Sequence, residues 1–140
     1  MIPGYLLDTS IISDLVRNPQ GLAAKQLRRV GDETVCTSIV VACELRFGAA
    51  KAASKRLSEQ LERVLEPLDI LPLESPAEHY YAEIRSVLER RGTPIGPNDL
   101  LIAAHALALG FTLVTDNLGE FSRVDGLAIE NWLTVQRRPG

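Results

Sequence analysis

The stretch from Gly96 to Asn117 constrains the fold more than any other part of the chain. Gly96-Pro97-Asn98 places a proline at a first helical position, and the pattern that follows is apolar almost all round until Gly110 stops it. A helix without a polar face belongs inside a protein. Phe111 to Thr115, rich in β-branched residues, then predicts a buried strand that ends in Asp116-Asn117. A carboxylate therefore stands at each end of a buried helix–strand unit: Asp99 in the first turn of the helix and Asp116 at the C-terminal end of the strand. Acids at the rim of such a unit call for a chemical reason, because burying an unpaired carboxylate is costly.

The rest of the chain repeats the alternation. Tyr5-Leu6-Leu7 predicts a short strand ending at Asp8, followed by a polar turn at Thr9-Ser10 and a short helix closed by Pro19. Residues 20–31 read as a helix with Lys25, Arg28 and Arg29 outward. Thr34 to Thr37 reads as a strand running into a helix from Ser38 to Gly48. Residues 52–66 are amphipathic, with Leu57, Leu61, Val64 and Leu65 on one face. Asp69 to Leu73 gives a third strand. Ser75-Pro76-Ala77-Glu78 reads as a capping box with proline at the first helical position, opening a helix that Gly92 ends. Arg85, Arg90 and Arg91 make its end basic, a solvated complement to the helix dipole. Leu127 to Glu130 is the last strand candidate, with Trp132 and Leu133 over the edge of the sheet. The expectation is an α/β domain over residues 1–133, with a short, mostly parallel sheet and helices on both faces, and a polar tail over 134–140 that frays.

Several function classes fall away. The longest apolar run, Leu100 to Val114, is too short for a membrane span and carries His105 and Gly110. Met1-Ile2-Pro3-Gly4-Tyr5 has no basic segment, so no signal peptide and a cytoplasmic location are expected. Cys36 and Cys43 lack the spacing of a metal site and read as two buried thiols. There is no phosphate-binding Gly-rich loop, and no Ser or Cys nucleophile arrangement. Asp8-Thr9-Ser10 lacks the second aspartate, two positions on, of a haloacid-dehalogenase-type phosphatase. The net charge of −3 neither advertises nor excludes a nucleic-acid partner. His105, six residues past Asp99, is turned off its face by about 240° and reads as structural.

What remains is a set of acids. Asp8 and Asp116 end strands, Asp99 opens a helix, and Glu44 sits two turns into the helix after the second strand, on the side of Val40, Val41 and Phe47. Structural readings stay open for the first two of these in chain order. Asp8, Thr9 or Ser10 can simply cap a helix, and Glu44 can be a structural partner of Arg46 or Lys51. If all four acids converge beyond the C-terminal edge of the sheet, where α/β folds bind ligands, each close pair repels by about 4 kcal/mol at an intermediate dielectric. A cation or a proton must then compensate. All-oxygen donors favour Mg²⁺ or Mn²⁺, and such a cation suits phosphodiester hydrolysis. Asp8 and Asp99 are the expected primary ligands, with Glu44 orienting water or completing the site and Asp116 in a second position. Arg46 and Lys51 are candidates to hold phosphates. The rival readings are a noncatalytic module whose acids bind a basic partner peptide, and a nuclease acting on DNA.

Four blocks now add a resemblance. Leu7-Asp8-Thr9-Ser10, the segment from Ser38 to Glu44-Leu45-Arg46-Phe47-Gly48, Pro97-Asn98-Asp99-Leu100-Leu101-Ile102-Ala103-Ala104, and Val114-Thr115-Asp116-Asn117 with Glu120-Phe121 occur in this order. Together they resemble the PIN-domain ribonucleases, specifically the VapC toxins of VapBC toxin–antitoxin systems, over nearly the whole chain. The resemblance implies a PIN-like three-layer sandwich and a Mg²⁺- or Mn²⁺-dependent endoribonuclease acting on structured RNA. It further implies inhibition by a VapB-like antitoxin, a homodimer and a higher assembly with the antitoxin. Asp8, Glu44 and Asp99 fall on the family's three most regular acids and Asp116 on its more variable fourth. Ser10 falls on a polar position that helps to hold the metal site, and Asn117 and Glu120 on its polar surround. Within the family the chain is most similar to the branch that includes initiator-tRNA-cleaving toxins.

Overall fold

The computed structural model describes residues 4–135. Its centre is β1 (Tyr5–Leu7), paired on one side with β2 (Val35–Ser38) and on the other with β4 (Thr112–Val114). Strand β3 (Asp69–Leu71) extends the sheet beyond β2 and β5 (Ile129–Glu130) extends it beyond β4, giving the order β3-β2-β1-β4-β5 with every pairing parallel. Consecutive residues Leu6 and Leu7, Leu113 and Val114, and the whole of β2 are buried, so both faces of the sheet are covered. The chain starts in the middle, builds outward to β3, then crosses back to β4. The reversal makes the gap between the C-terminal ends of β1 and β4 the switch point where such sheets form a crevice.

Among the described residues seven α-helices surround this sheet. They are α1 (Thr9–Arg17), α2 (Leu22–Val30), α3 (Ile39–Ala52), α4 (Lys55–Leu65), α5 (Ala77–Arg90), α6 (Pro97–Leu109) and the short α7 (Leu118–Phe121). Helix α1 packs on α2, α3 and α4, while α5 lies along α6, which also touches α3. Local chemistry sets the boundaries. Ser38 and Ser54 cap α3 and α4 with their hydroxyls, accepting from Val40 N–H and Leu57 N–H. Pro97 opens α6, and Gly110, at φ +70°, closes it in the left-handed conformation. Gly92 ends α5 as expected, its N–H bonding the Glu89 carbonyl while Thr93 N–H bonds that of Leu88. Helix α6 is the buried helix that the sequence demands, with Leu100, Ile102, Ala103, Ala104, His105 and Ala106 all inside. Gly4 is also dictated by packing, because a Cβ there would stand 2.6 Å from the ring of Phe111.

Some expectations need correction. The capping box at Ser75 forms only in part: the Ser75 side chain hydrogen-bonds the Glu78 carboxylate, but Ala77 N–H closes a turn on the Glu74 carbonyl and Pro76 is itself the cap residue. Of the two cysteines only Cys36 is buried; Cys43 lies on the outer side of α3 and is exposed. Phe47 is likewise exposed, so the side of α3 that carries it is not a core face although the residue is apolar. Trp132 does more than cover an edge. It is 1% exposed and its ring meets that of Tyr5 on the central strand at 5.3 Å between centroids. Of the tail expected to fray, residues 136–140 lie outside the described residues. Among the described residues no helix is long and apolar enough to cross a membrane.

Candidate active site at the sheet switch point

The C-terminal ends of β1 and β4 deliver two dipeptides in mirror order, Asp8-Thr9 and Thr115-Asp116. Asp8 N–H continues the ladder to the Val114 carbonyl at 2.9 Å, which fixes its backbone beside β4. Its side chain is held at both oxygens: Oδ1 accepts from Thr9 N–H at 2.8 Å and Oδ2 from the Thr115 hydroxyl at 2.8 Å. Asp8 is therefore both the cap of α1 and a nearly buried acid, 6% exposed. The capping and site readings do not compete. Burial raises the pKa of its carboxyl. The bonds from Thr115 and Thr9 oppose that shift, and the charges of Glu44 and Asp116 add to it.

Helix α3 brings Glu44 to the same place, where its Oε1 accepts from the Thr9 hydroxyl at 3.2 Å. Glu44 is not paired with Arg46, whose guanidinium makes two bonds to Glu62 on α4. Lys51 lies exposed further along α3. The apolar body of α6 anchors Asp99 in its first turn. There burial, a hydrogen bond and charge from Glu120, and the charges of Asp8 and Glu44 push its carboxyl up to about 8. Its partner Glu120 is lowered, chiefly by that same hydrogen bond, so the more buried Asp99 holds the shared proton.

The segment after β4 supports the cluster. Thr115 is fully buried; its hydroxyl accepts from Asn117 N–H at 3.0 Å while donating to Asp8. Asn117 caps α7 and donates from Nδ2 to Glu120 Oε2 at 3.1 Å. Ser10 accepts from Asp116 N–H at 3.4 Å, and Asp116 itself is exposed at the mouth. The structure thus places Asp8, Glu44, Asp99, Asp116, Ser10, Asn117 and Glu120 in one neighbourhood. Arg46 turns away towards α4. Among the described residues no three acids, histidines or cysteines stand as a closed coordination shell. His105 is apart from the acids, as its helical position indicates. It is buried and neutral, with Nδ1 at 2.8 Å from the Ser38 hydroxyl. The Ser38 oxygen also accepts from Val40 N–H. The Pro72 carbonyl lies close to the imidazole, and Nε2 is buried without a hydrogen-bond partner among the described residues.

The sequence is similar to known proteins across this whole arrangement. Residues 5–127 match the PIN domain family. This chain belongs to the PIN-domain family. Within it, the chain is 37% identical to "Ribonuclease VapC2" of Rickettsia felis, over 91% of this chain and 97% of that protein. It is 34% identical to the "tRNA(fMet)-specific endonuclease VapC" of Salmonella typhimurium over the same shares of the two chains. A crystal structure of Rickettsia felis VapBC2 bound to a promoter DNA fragment contains a chain that superposes with a TM-score of 0.84. It is 35% identical, covering 91% of this chain and 98% of that one. The PIN domain here therefore has VapC proteins as relatives and VapBC assemblies as structural neighbours.

Two residues of this PIN domain carry site functions that the acids alone do not reveal. Thr9 joins Glu44 to the turn after β1, and Thr115 joins Asp8 to the turn after β4. The signal lies in the sequence, as a hydroxyl residue directly beside each strand-end aspartate. Thr115→Val keeps the shape and removes both bonds. It is expected to cost about 1.5–3 kcal/mol in urea unfolding, as for a hydrogen bond to a charged group, with Thr115→Ser losing less.

The pH dependence of stability follows from Asp99. Its ordinary value is 3.8 and the folded value is about 8, so between these the folded chain holds a proton that the unfolded chain has released. Stability of the metal-free protein should fall as pH rises through that window, and the raised Asp8 acts in the same sense. Asp99→Asn should flatten the decline, so that the variant is increasingly more stable than wild type towards about pH 8.5, read as Tm against pH.

Proposed function

We propose that this PIN domain is the toxin of a toxin–antitoxin pair, an endoribonuclease that uses Mg²⁺ or Mn²⁺ and is inhibited by a VapB-like antitoxin. The observation that carries the reading is Asp99: a carboxyl fixed at the start of a buried helix and pushed to about 8 by burial and by its acidic neighbours Glu120, Asp8 and Glu44. Such a cluster holds either protons or a cation. Its donors are all oxygen, which fits a hard divalent ion. Asp8, Asp99, Glu44 and Asp116 would hold it. When bound, it supplies positive charge against the phosphodiester and makes water more acidic near neutral pH.

The chain's own groups supply the positioning. Thr9 N–H and the Thr115 hydroxyl fix the two oxygens of Asp8 so that the carboxylate cannot swing as charge develops. Thr9 holds Glu44 by Oε1, and Oε2 is the atom we assign to accept the proton of the attacking water. Asn117 orients Glu120, which keeps the Asp99 proton within the pair until the site is loaded. The relatives named as tRNA(fMet)-specific endonucleases make initiator tRNA the first substrate to try. The VapBC neighbours support a VapB-like antitoxin as partner, and a homodimer within a larger assembly completes the proposal.

The test is cleavage of initiator tRNA and of a matched single-stranded DNA, with Mg²⁺ or Mn²⁺ and with chelator, by wild type, Asp8→Asn and Asp99→Asn. The expected result is metal-dependent cutting of RNA by wild type alone. Equal cleavage by all three proteins overturns the reading. A chelator-insensitive partner complex with no cleavage makes the acid cluster a binding module instead.

A further inference from the structure

Phe47 is 69% exposed, an aromatic ring held in water on the helix that carries Glu44. The buried residues Val41, Ala42 and Ala49 define the core side of α3. At about 100° per residue, Phe47 lies roughly opposite them. It contributes nothing to the core, and a polar residue there would leave the fold intact. Its position relative to the site is more telling. Phe47 is three residues past Glu44, about 60° round the helix, and Lys51 is seven past it, about 20° round. One strip of α3 therefore presents a carboxylate, a flat ring and an ammonium group in succession, and the carboxylate end is part of the acid cluster. Arg46, on the other flank, is occupied by Glu62, which leaves Lys51 as the cation of this strip.

We infer that Phe47 is a stacking platform for an unpaired base of the RNA beside the scissile phosphate, with Lys51 facing a flanking phosphate. The inference rests on the nuclease reading above. Unpaired bases are recognised by stacking on exposed aromatic rings along a cationic track, and an aliphatic side chain gives no such platform. Ile39 and Cys43, also exposed, continue a ridge with Phe47 at four-residue spacing, which a protein partner or a second copy could cover instead. The strip's continuity with the acid cluster and its lysine favour the nucleic acid.

The variants are Phe47→Ala, Phe47→Leu and Phe47→Trp, each checked to melt as wild type does, as an exposed position allows. The stacking probe is a single-stranded RNA carrying one central 2-aminopurine, titrated into Asp99→Asn protein so that it stays uncut. Binding should quench the fluorophore, Ala and Leu should abolish the quench, and Trp should restore it. In the cleavage arm, Ala and Leu should lower kcat/KM for initiator tRNA about 10- to 100-fold, mainly through KM, with Trp within about threefold of wild type. Lys51→Ala should reduce the slope of log affinity against log salt by about one. Wild-type quench and kcat/KM in Phe47→Ala overturn the inference. Rescue by Leu equal to that by Trp also overturns it, assigning the ridge to a protein surface. A wild-type protein that cuts no RNA sinks the nuclease reading alone, because the fluorescence arm still decides whether a base stacks on Phe47.

Discussion

Asp99→Asn is expected to reduce RNA cleavage at least 1000-fold, about 4 kcal/mol of lost transition-state stabilisation, while the protein stays folded. The side chain keeps its shape and can still bond Glu120, but it cannot carry the negative charge that a divalent ion needs. Asp8→Asn should fail to a similar extent, with one complication. The Asp8 oxygens accept from Thr9 N–H and from the Thr115 hydroxyl. An amide turned with its NH₂ towards either donor loses that bond, so this variant should also unfold more readily. Asp116 is exposed and stands at the rim, so Asp116→Asn should cost nearer tenfold. Single-turnover rates over a Mn²⁺ titration check the ranking. Asp116→Asn should recover at high metal and Asp99→Asn should not. Comparable rates for Asp99→Asn and wild type would remove Asp99 from the chemistry.

Trp132→Ala is expected to destabilise the domain by about 3–5 kcal/mol, the range for deleting a fully buried large aromatic. The indole packs on Tyr5 and its N–H donates to Glu130 Oε1 at 3.1 Å. Removing it opens a void beside the central strand and unties the residues that follow β5. For a domain of this length Tm should drop by about 10 °C or more. Trp132→Phe keeps most of the packing and gives up the N–H bond, which should leave the larger part of the stability. Thermal unfolding of the three proteins, followed by circular dichroism, measures this. An unchanged Tm in Trp132→Ala would place the segment after β5 outside the cooperative core.

What the sequence makes legible here is periodicity and punctuation. The apolar α6 between Pro97 and Gly110 and the strand-end aspartates Asp8 and Asp116 follow from local rules, and the alternation of strands and helices leads to a parallel sheet. The order of strands does not, because it depends on a crossover from β3 back to β4 that no local pattern encodes. Exposure on α3 is equally hidden. Val41 and Phe47 are both apolar and close in sequence, yet the helix turns one into the core and the other into solvent. The same holds for Cys36 and Cys43. The acids could be picked out one by one, but the pairing of Asp99 with Glu120 and the roles of Thr9 and Thr115 are products of the fold. The capping box at Ser75 shows the converse, a local motif whose Ser75–Glu78 pair forms while a turn that closes on Glu74 moves the helix start to Pro76.

The pairing of β1 with β4 also bears on how the chain is made. The first acid, Asp8, is fixed by Thr115, 107 residues further on, and Asp99 takes its partner from Glu120. A ribosome has to synthesise nearly the whole polypeptide before the hydroxyl that fixes Asp8 and the carboxylate that pairs with Asp99 exist. Long-range parallel pairing of this kind is also slow to form. Truncated or unfinished copies therefore carry Asp8, Glu44 and even Asp99 without assembling them. For a protein proposed to cut RNA, assembly of the acid site is thereby tied to completion of the chain.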